Sequence, residues 1–382
     1  MTVKKGDIVE LKIDKLIFGG AGLGRVEGQV IFVDYSAPGD LLEIEIFESK
    51  KNFSRGKILK IIKASESRVA PKCKFFGQCG GCQWQHIKYS EQVISKHKIL
   101  EEVVNRFLPN ESHEPIQFWN SPTTYNYRNR IQVSVSEAGV IGFFEKGSHT
   151  LVDIDSCSIA EEPLNSELKK LKSDKVKAGK YRLQLGLDKR VTRTHLETQE
   201  EPLGFAQVNQ LQNLKLQNEV LKTYEKYKGM PIIDLYGGYG NLSLPLALKH
   251  PEITIECVEW SHKAVEEGVQ MTLQQKLNKL FYINMDVKSY LQRLQMKSES
   301  FVILDPSREG CEPIVIQELA AKGPKCIVSI SCDPMTWGRD MQLLLKLAKQ
   351  NGYKYRIATM HGLDMFPQTD HIEVFSIIER QD

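Results

Sequence analysis

Several things are missing from this 382-residue chain, and each absence narrows the reading. It has no run of about 18 apolar residues, so no membrane-spanning helix is expected. It has no marked excess of charge of one sign: 51 Lys and Arg stand against 48 Asp and Glu, a formal net charge of +3. Global charge therefore does not announce a polyanionic partner, and any such case rests on local clusters. No internal repeat or low-complexity stretch is evident. The first residues are charged and alternating, unlike a secretory signal, which leads to the expectation of a cytoplasmic protein. What is present is ordinary for a globular protein: 41% hydrophobic and 26% charged residues, with length for two or three domains. Disordered, collagenous and small disulfide-stapled chains are excluded.

The eight cysteines are unevenly placed. Cys73, Cys79 and Cys82 crowd into ten residues, with Cys157 far downstream; Cys257, Cys311, Cys326 and Cys332 lie in the last third. In a reducing compartment a tight cysteine group reads as a metal or cluster site rather than as disulfides.

Three regions follow from the pattern. Residues 1–63 read as about five short strands separated by Gly and Pro turns, suiting an OB-like barrel. The stretch Lys50–Lys63 holds six basic residues and no acid; it reads either as a solvated edge strand or as a phosphate-facing surface. Residues 64–202 are mixed. Tyr89 to Phe107 has helical spacing, and this helix is a candidate to pack on the catalytic domain. Residues 131–154 alternate like antiparallel strands, and a second basic group runs from Lys169 to Arg182. Residues 203–382 alternate apolar runs with helical stretches, the rhythm of a parallel doubly wound sheet.

In that last region Asp234-Leu-Tyr-Gly-Gly-Tyr-Gly-Asn241 follows an apolar strand and opens a helix. Such a turn lets a ligand approach the backbone and the helix N-terminus. A dinucleotide fingerprint would place a third glycine where Ser243 stands, so NAD is disfavoured. Glu259 ends the next strand, where an acid suits ribose hydroxyls. A cofactor with a ribose and no pyrophosphate is S-adenosylmethionine. Asp305 ends another buried strand. Cys332 lies between a strand end and a helix opened by Asp333 as cap and Pro334 as first residue, a position that favours a thiolate.

Together these segments resemble the RNA 5-methyluridine (uracil-5-) methyltransferases. Residues 1–63 resemble the family's TRAM domain. Cys73-x5-Cys79-Gly-Gly-Cys82 with Cys157 resembles its iron–sulfur segment. Phe205-Ala-Gln207-Val-Asn209, the Asp234 to Asn241 loop, Ser331-Cys332-Asp333-Pro334 and Met365-Phe-Pro-Gln-Thr-Asp-His371-Ile-Glu373 resemble its motifs. The resemblance implies an α/β protein: a Rossmann-like class I methyltransferase domain at 203–382, an OB-like TRAM barrel and a mixed α+β central domain. It implies that Gln207, Tyr236, Asn241, Glu259 and Asp305 bind the methyl donor and uracil. Cys332 would be the nucleophile and Glu373 the general base. Cys73, Cys79, Cys82 and Cys157 would hold a [4Fe–4S] cluster, with structural zinc as the rival.

The chain departs from the pattern at Asp333 for Asn, Ser307 for Pro and Gln368 for His; the charge of Asp333 is expected to raise the Cys332 pKa. The implied partner is RNA, 23S rRNA ahead of tRNA, with no membrane, no obligate protein partner and a monomeric state. A cytosine-5 methyltransferase is the rival enzyme; those typically carry an added Pro-Cys dipeptide, absent here. A non-catalytic RNA-binding relative is the rival outside enzymes.

Overall fold

A computed structural model describes residues 3–111, 113–186, 188–196, 207–293 and 299–381. The elements run in chain order as follows. First come β1 (Ile8–Leu16), β2 (Gly22–Val26), β3 (Gln29–Val33), β4 (Leu41–Ser49) and β5 (Phe53–Lys63). Then come α1 (Tyr89–Phe107), β6 (Gln117–Trp119), β7 (Arg130–Val135), β8 (Ile141–Phe144), β9 (Leu151–Asp153), α2 (Glu162–Ser173), β10 (Gly179–Leu185) and β11 (Val191–Leu196). The last part holds α3 (Gln210–Glu225), β12 (Ile232–Leu235), α4 (Ser243–Lys249), β13 (Ile255–Glu259), α5 (His262–Gln274), β14 (Leu280–Asn284) and α6 (Val287–Arg293). It closes with β15 (Phe301–Leu304), α7 (Pro313–Lys322), β16 (Cys326–Ser331), α8 (Pro334–Gln350), β17 (Lys354–Leu363) and β18 (Glu373–Gln381).

Two compact units contain these elements. One comprises residues 1–99, 121–198 and 366–371; the other comprises 100–120, 199–365 and 372–382. In the first, β1 to β5 close into a barrel in the order β1-β2-β3-β5-β4. Alternation drives closure: Leu11, Ile13, Ile31, Val33, Leu42, Ile44 and Ile46 all point inward and are buried, while the residues between them face outward. The edge-strand reading of Lys50–Lys63 needs correction. Residues 54–56 of β5 pair with both β3 and β4, and beyond Gly56 only the β4 side is paired. The absence of acid is also local to the sequence. The β4 register sets Glu45 opposite Lys57, Glu43 opposite Lys60 and Glu48 opposite Arg55, so cross-strand acids offset much of that charge.

The same unit holds an antiparallel sheet in the order β11-β10-β7-β8-β9. Leu164, Leu168 and Leu171 of α2 cover one face with Ile131, Val133 and Leu183. The second basic group divides here. Lys170 and Lys172 pair with Glu167 and Asp153, whereas Lys180 and Arg182 stand on the opposite, polar face of β10 beside Gln132.

The second unit is a mixed sheet of eight strands, β14-β13-β12-β15-β16-β18-β17-β6. Strands β12, β15 and β16 are buried along their whole length, as strands covered on both faces must be. Strand order reverses between β12 and β15, and ligands in such sheets bind at the carboxyl ends flanking that switch. The C-terminal half of α1 belongs to this unit, where Val103 and Phe107 press on Gly338 of α8 so closely that a Cβ there would lie 2.6 Å from the Phe107 ring. The fold class implied by the resemblance is what the structure contains: an OB-like barrel, a mixed region and a Rossmann-like sheet.

The barrel charges give a direct test. Glu45→Lys turns an attractive pair with Lys57 repulsive and is expected to cost up to about 1 kcal/mol, seen as a lower urea midpoint that recovers in high salt. An unchanged midpoint would show that the two strands do not neutralise each other.

Candidate active site

The glycine turn after β12 is built around buried carboxylates. Asp234 is fully buried and accepts a hydrogen bond from Ser243 Oγ at 2.5 Å. This explains why a serine stands where a dinucleotide loop has its third glycine: the hydroxyl is spent on Asp234. Burial, with a further push from Glu259, raises the Asp234 carboxyl to about 7. Two glycines are required by close approach. A Cβ on Gly237 would lie 2.4 Å from Cys257 Sγ, and one on Gly240 would lie 2.1 Å from Tyr282 Oη.

Glu259 is fixed by the loop it faces. Its Oε2 accepts from the Gly238 amide at 3.0 Å and its Oε1 from the Ser261 amide at 2.8 Å. Both oxygens keep lone pairs for a further donor such as a ribose hydroxyl. Trp260 follows, 59% exposed, a flat apolar surface beside that acid which the sequence reading missed. Asn241, at the end of the turn, is anchored from α3. Its side-chain amide exchanges hydrogen bonds with Asn213 and accepts from Gln217, both on α3, so it fastens the loop to that helix. Tyr236 takes a left-handed backbone, φ +62, and its hydroxyl meets Cys311. Burial raises both groups well above their usual values.

The second cluster forms by strand register. Strands β16 and β18 run antiparallel with Ser331 opposite Val374. Cys332 follows directly where this ladder ends and Glu373 directly precedes Val374, and the Glu373 carboxylate acts on the Cys332 thiol. Asp305 stands at the end of the adjacent β15, and the exposed Arg308 hydrogen-bonds the Cys332 sulfur.

Burial dominates the chemistry of this cluster. The Cys332 thiol is pushed up to about 12, first by burial, then by the Glu373 carboxylate, with Arg308 opposing. Glu373, 2% exposed, is held well above the carboxylate range by burial and then by Asp305. Asp305 keeps part of its surface in solvent, yet water is sufficiently excluded from its carboxyl to raise it to about 7, with Asp234 adding to the effect. Asp333 takes the capping position that its place before Pro334 predicts. Its carboxylate caps α8, accepting from the Met335 and Thr336 amides at 2.8 and 3.2 Å. Among the charges that act on the thiol, the Glu373 and Asp305 carboxylates raise it and Arg308 lowers it.

Of the Phe205–Asn209 motif, residues 205 and 206 lie outside the described residues. Gln207 is buried, and Asn209 caps α3 while its Nδ2 donates to Met365 O at 3.3 Å. Asn209 therefore holds the start of the segment that leads to Glu373.

In the other unit Cys73, Cys79, Cys82 and Cys157 line one cavity of about 210 Å³, walled by Phe75, Phe143, Ile131 and Ile154. Burial raises Cys79 to about 11 and Cys82 to about 12, and the cysteines raise one another. Among the described residues no three His, Cys, Asp or Glu side chains converge as ligands of a single ion would.

The thiol gives a pH test. In the free protein, alkylation of the Cys332 peptide by iodoacetamide is expected to be slow at pH 7 and to rise about tenfold per pH unit up to pH 10, because the thiolate fraction grows below a raised pKa. A plateau near neutral pH would show that Arg308 and the helix terminus outweigh burial.

A TRAM domain model matches residues 2–59, and a model described as tRNA (Uracil-5-)-methyltransferase matches residues 187–381. An uncharacterized RNA methyltransferase of Bdellovibrio bacteriovorus is 34% identical over 380 residues, covering 97% of this chain and 95% of that one. The 23S rRNA (uracil(1939)-C(5))-methyltransferase of Vibrio campbellii is 26% identical, with 97% and 95% covered. The crystal structure of Pyrococcus abyssi tRNA (uracil-54, C5)-methyltransferase with S-adenosyl-L-homocysteine has the same fold, with TM-score 0.74 at 23% identity over 97% of this chain and 100% of that one. Among the described residues no helix is long and apolar enough to cross a membrane. With the sheet order, the glycine turn and the paired cysteine and glutamate in place, these matches settle the family: the chain is an enzyme of the tRNA (uracil-5-)-methyltransferase family.

Proposed function

We propose that this enzyme transfers a methyl group from S-adenosylmethionine to C5 of a uridine in RNA, in 23S rRNA rather than tRNA, through a covalent bond from Cys332 to C6. The observation that carries the reading is the nearness of Cys332, just past the end of β16, to Glu373 at the start of the paired β18, on the sheet edge that also carries the glycine turn. The residues fit the donor: Glu259 offers two oriented oxygens to a ribose, and Trp260 offers an apolar face to a base. The donor supplies a methyl group on a positively charged sulfur.

Uracil C5 is a weak nucleophile. Addition of the Cys332 thiolate to C6 moves the C5–C6 electron pair toward O4 and makes C5 nucleophilic. C5 takes the methyl group, and the donor leaves as a neutral thioether. Glu373 then removes the C5 proton; the returning electron pair restores C5–C6 and expels the thiolate. A base needs a pKa near the working pH, and burial brings Glu373 upward from the carboxylate range. Arg308 supports the thiolate. Asp305 and Gln207 orient the uracil edge.

The target base must leave its stack to reach such a pocket. Three regions share the work: 1–63 and 64–202 hold RNA, with Lys180 and Arg182 on an open sheet face for phosphate contacts, and 203–382 performs transfer. The reaction belongs to the cytoplasm, where RNA and donor meet.

Cys73, Cys79, Cys82 and Cys157 fit a [4Fe–4S] cluster better than zinc. Zinc draws four sulfurs to about 2.3 Å from one point, whereas these surround a cavity large enough for a cluster. Burial that favours the neutral thiols opposes four thiolates in an apolar wall, and the positive charge of such a group would offset it. Uracil methylation moves no electron, so its task is structural.

Methyl transfer from labelled donor to a 23S rRNA fragment, a tRNA transcript and their digested nucleosides tests the reading. The expected product is 5-methyluridine, formed on the rRNA. Cys332→Ala abolishes it, and Glu373→Gln slows it about 10²–10⁴-fold while methylated RNA accumulates on the protein. Methylation that survives Cys332→Ala contradicts the mechanism; 5-methylcytidine as product favours the rival enzyme.

A further inference from the structure

The segment that precedes Glu373 is gripped from one side by the cysteine-bearing loop. Residues 366–371 belong to the unit that holds the barrel and the cysteine cavity. At their centre Gln368 takes a left-handed backbone, φ +71, and is 3% exposed. A glutamine does not adopt that conformation unaided, so its surroundings impose it.

Those surroundings are specific. Gln368 O accepts from the amides of Gln83 and Trp84 at 3.1 and 3.0 Å. Gln368 N donates to Gln92 Oε1 at 3.0 Å, and Gln92 Nε2 returns to Gln368 Oε1 at 3.0 Å. On the neighbouring residues, the fully buried Lys96 donates to Phe366 O at 3.1 Å, and Tyr127 Oη donates to Pro367 O at 3.0 Å.

The grip grows directly out of the cysteine site. Gln83 follows Cys82, and its side chain folds back to Gly80 O at 2.9 Å, closing the turn between Cys79 and Cys82. Gln85 accepts from the Cys73 amide at 3.1 Å and hydrogen-bonds Cys82. Residues 82–85 are therefore a strap. Cys82 and Gln85 serve the cysteine cavity, and the amides of Gln83 and Trp84 between them hold Gln368. Chain continuity does the rest: Glu373 comes five residues after Gln368.

We propose that Gln92 and Gln368 are positioning residues that set the base Glu373, and that the strap ties their precision to the integrity of the four-cysteine site. This rests on Glu373 being the base and on the cysteines holding a group. The cysteine site then has a task in a reaction that uses no electron. A protein whose cysteine site is broken carries out addition and methyl transfer, which do not need Glu373, and stalls at proton removal.

Hydrogen exchange and adduct trapping on the full chain test this. In Gln92→Ala and in Cys82→Ala, amide exchange across 366–373 is expected to quicken about tenfold or more, while β16 and the barrel strand β3 keep their protection and so report an intact fold. With ordinary RNA and donor, Gln92→Ala is expected to lower kcat about 10–100-fold, leave KM for the donor unchanged and accumulate the methylated covalent adduct. Gln92→Glu, which keeps an acceptor for Gln368 N, restores part of the rate. Exchange across 366–373 unchanged in both variants overturns the proposal, as does normal adduct turnover in Gln92→Ala while Glu373→Gln stalls. Should Glu373→Gln itself turn over normally, the assignment of the base has failed, and the exchange data still decide whether strap and loop are coupled.

Discussion

The antiparallel pairing of β16 with β18 is the constraint on which the rest of the site depends. Nothing in the sequence brings Cys332 near Glu373; they are separated by a helix, a strand and a loop. The ladder from Cys326 opposite Glu379 to Ser331 opposite Val374 fixes the phase, and Cys332 and Glu373 are the residues next to its last pair. A slip of one residue would turn every side chain of β18 to the other face. Such a slip is blocked because Phe375 and Ile377 are packed in the sheet core with Val328 and Ile330 and because Trp337 Nε1 donates to Ser376 Oγ at 2.9 Å. Core packing thus sets the geometry of the chemistry.

The same burial sets its energetics. Asp234, Asp305, Glu373 and Cys332 are all pushed toward their neutral forms, each chiefly by loss of water. For the acids the sign matters. Their folded pKa values lie above the unfolded ones, so the folded state binds more protons between roughly pH 4 and 7, and stability falls as pH rises through that window. The site is kept at some cost to the fold, as is common where function needs groups near their switching point. Arg308 is the cation that acts on the thiol; a positively charged methyl donor would act in the same direction.

Much of this was legible in the sequence, for physical reasons. Period-2 alternation revealed the barrel, the 3.6-residue period gave α1 its bounds, and Gly-rich turns after apolar strands located the cofactor loop. Asp333 and Pro334 announced the start of α8. What escaped was whatever depends on partners distant in sequence. Lys57 and Lys60 seemed free of acids until the register supplied Glu45 and Glu43. The bond that ties Asn241 to Asn213 of α3 joins residues 28 apart. The hydrogen bonds from Gln92 to Gln368 join residues 276 apart, with no local signal at either end. Short strands such as β6 have too few residues to show a period.

The most direct test of the central claim is mass spectrometry of the enzyme incubated with donor and RNA whose uridines are replaced by 5-fluorouridine. Fluorine at C5 cannot leave as a proton does, so the reaction must halt after methyl transfer. The account predicts a denaturation-resistant protein–RNA complex in which Cys332 is bonded to C6 of one methylated 5-fluorouracil. Absence of such a complex with active enzyme, or attachment through any residue other than Cys332, would contradict it.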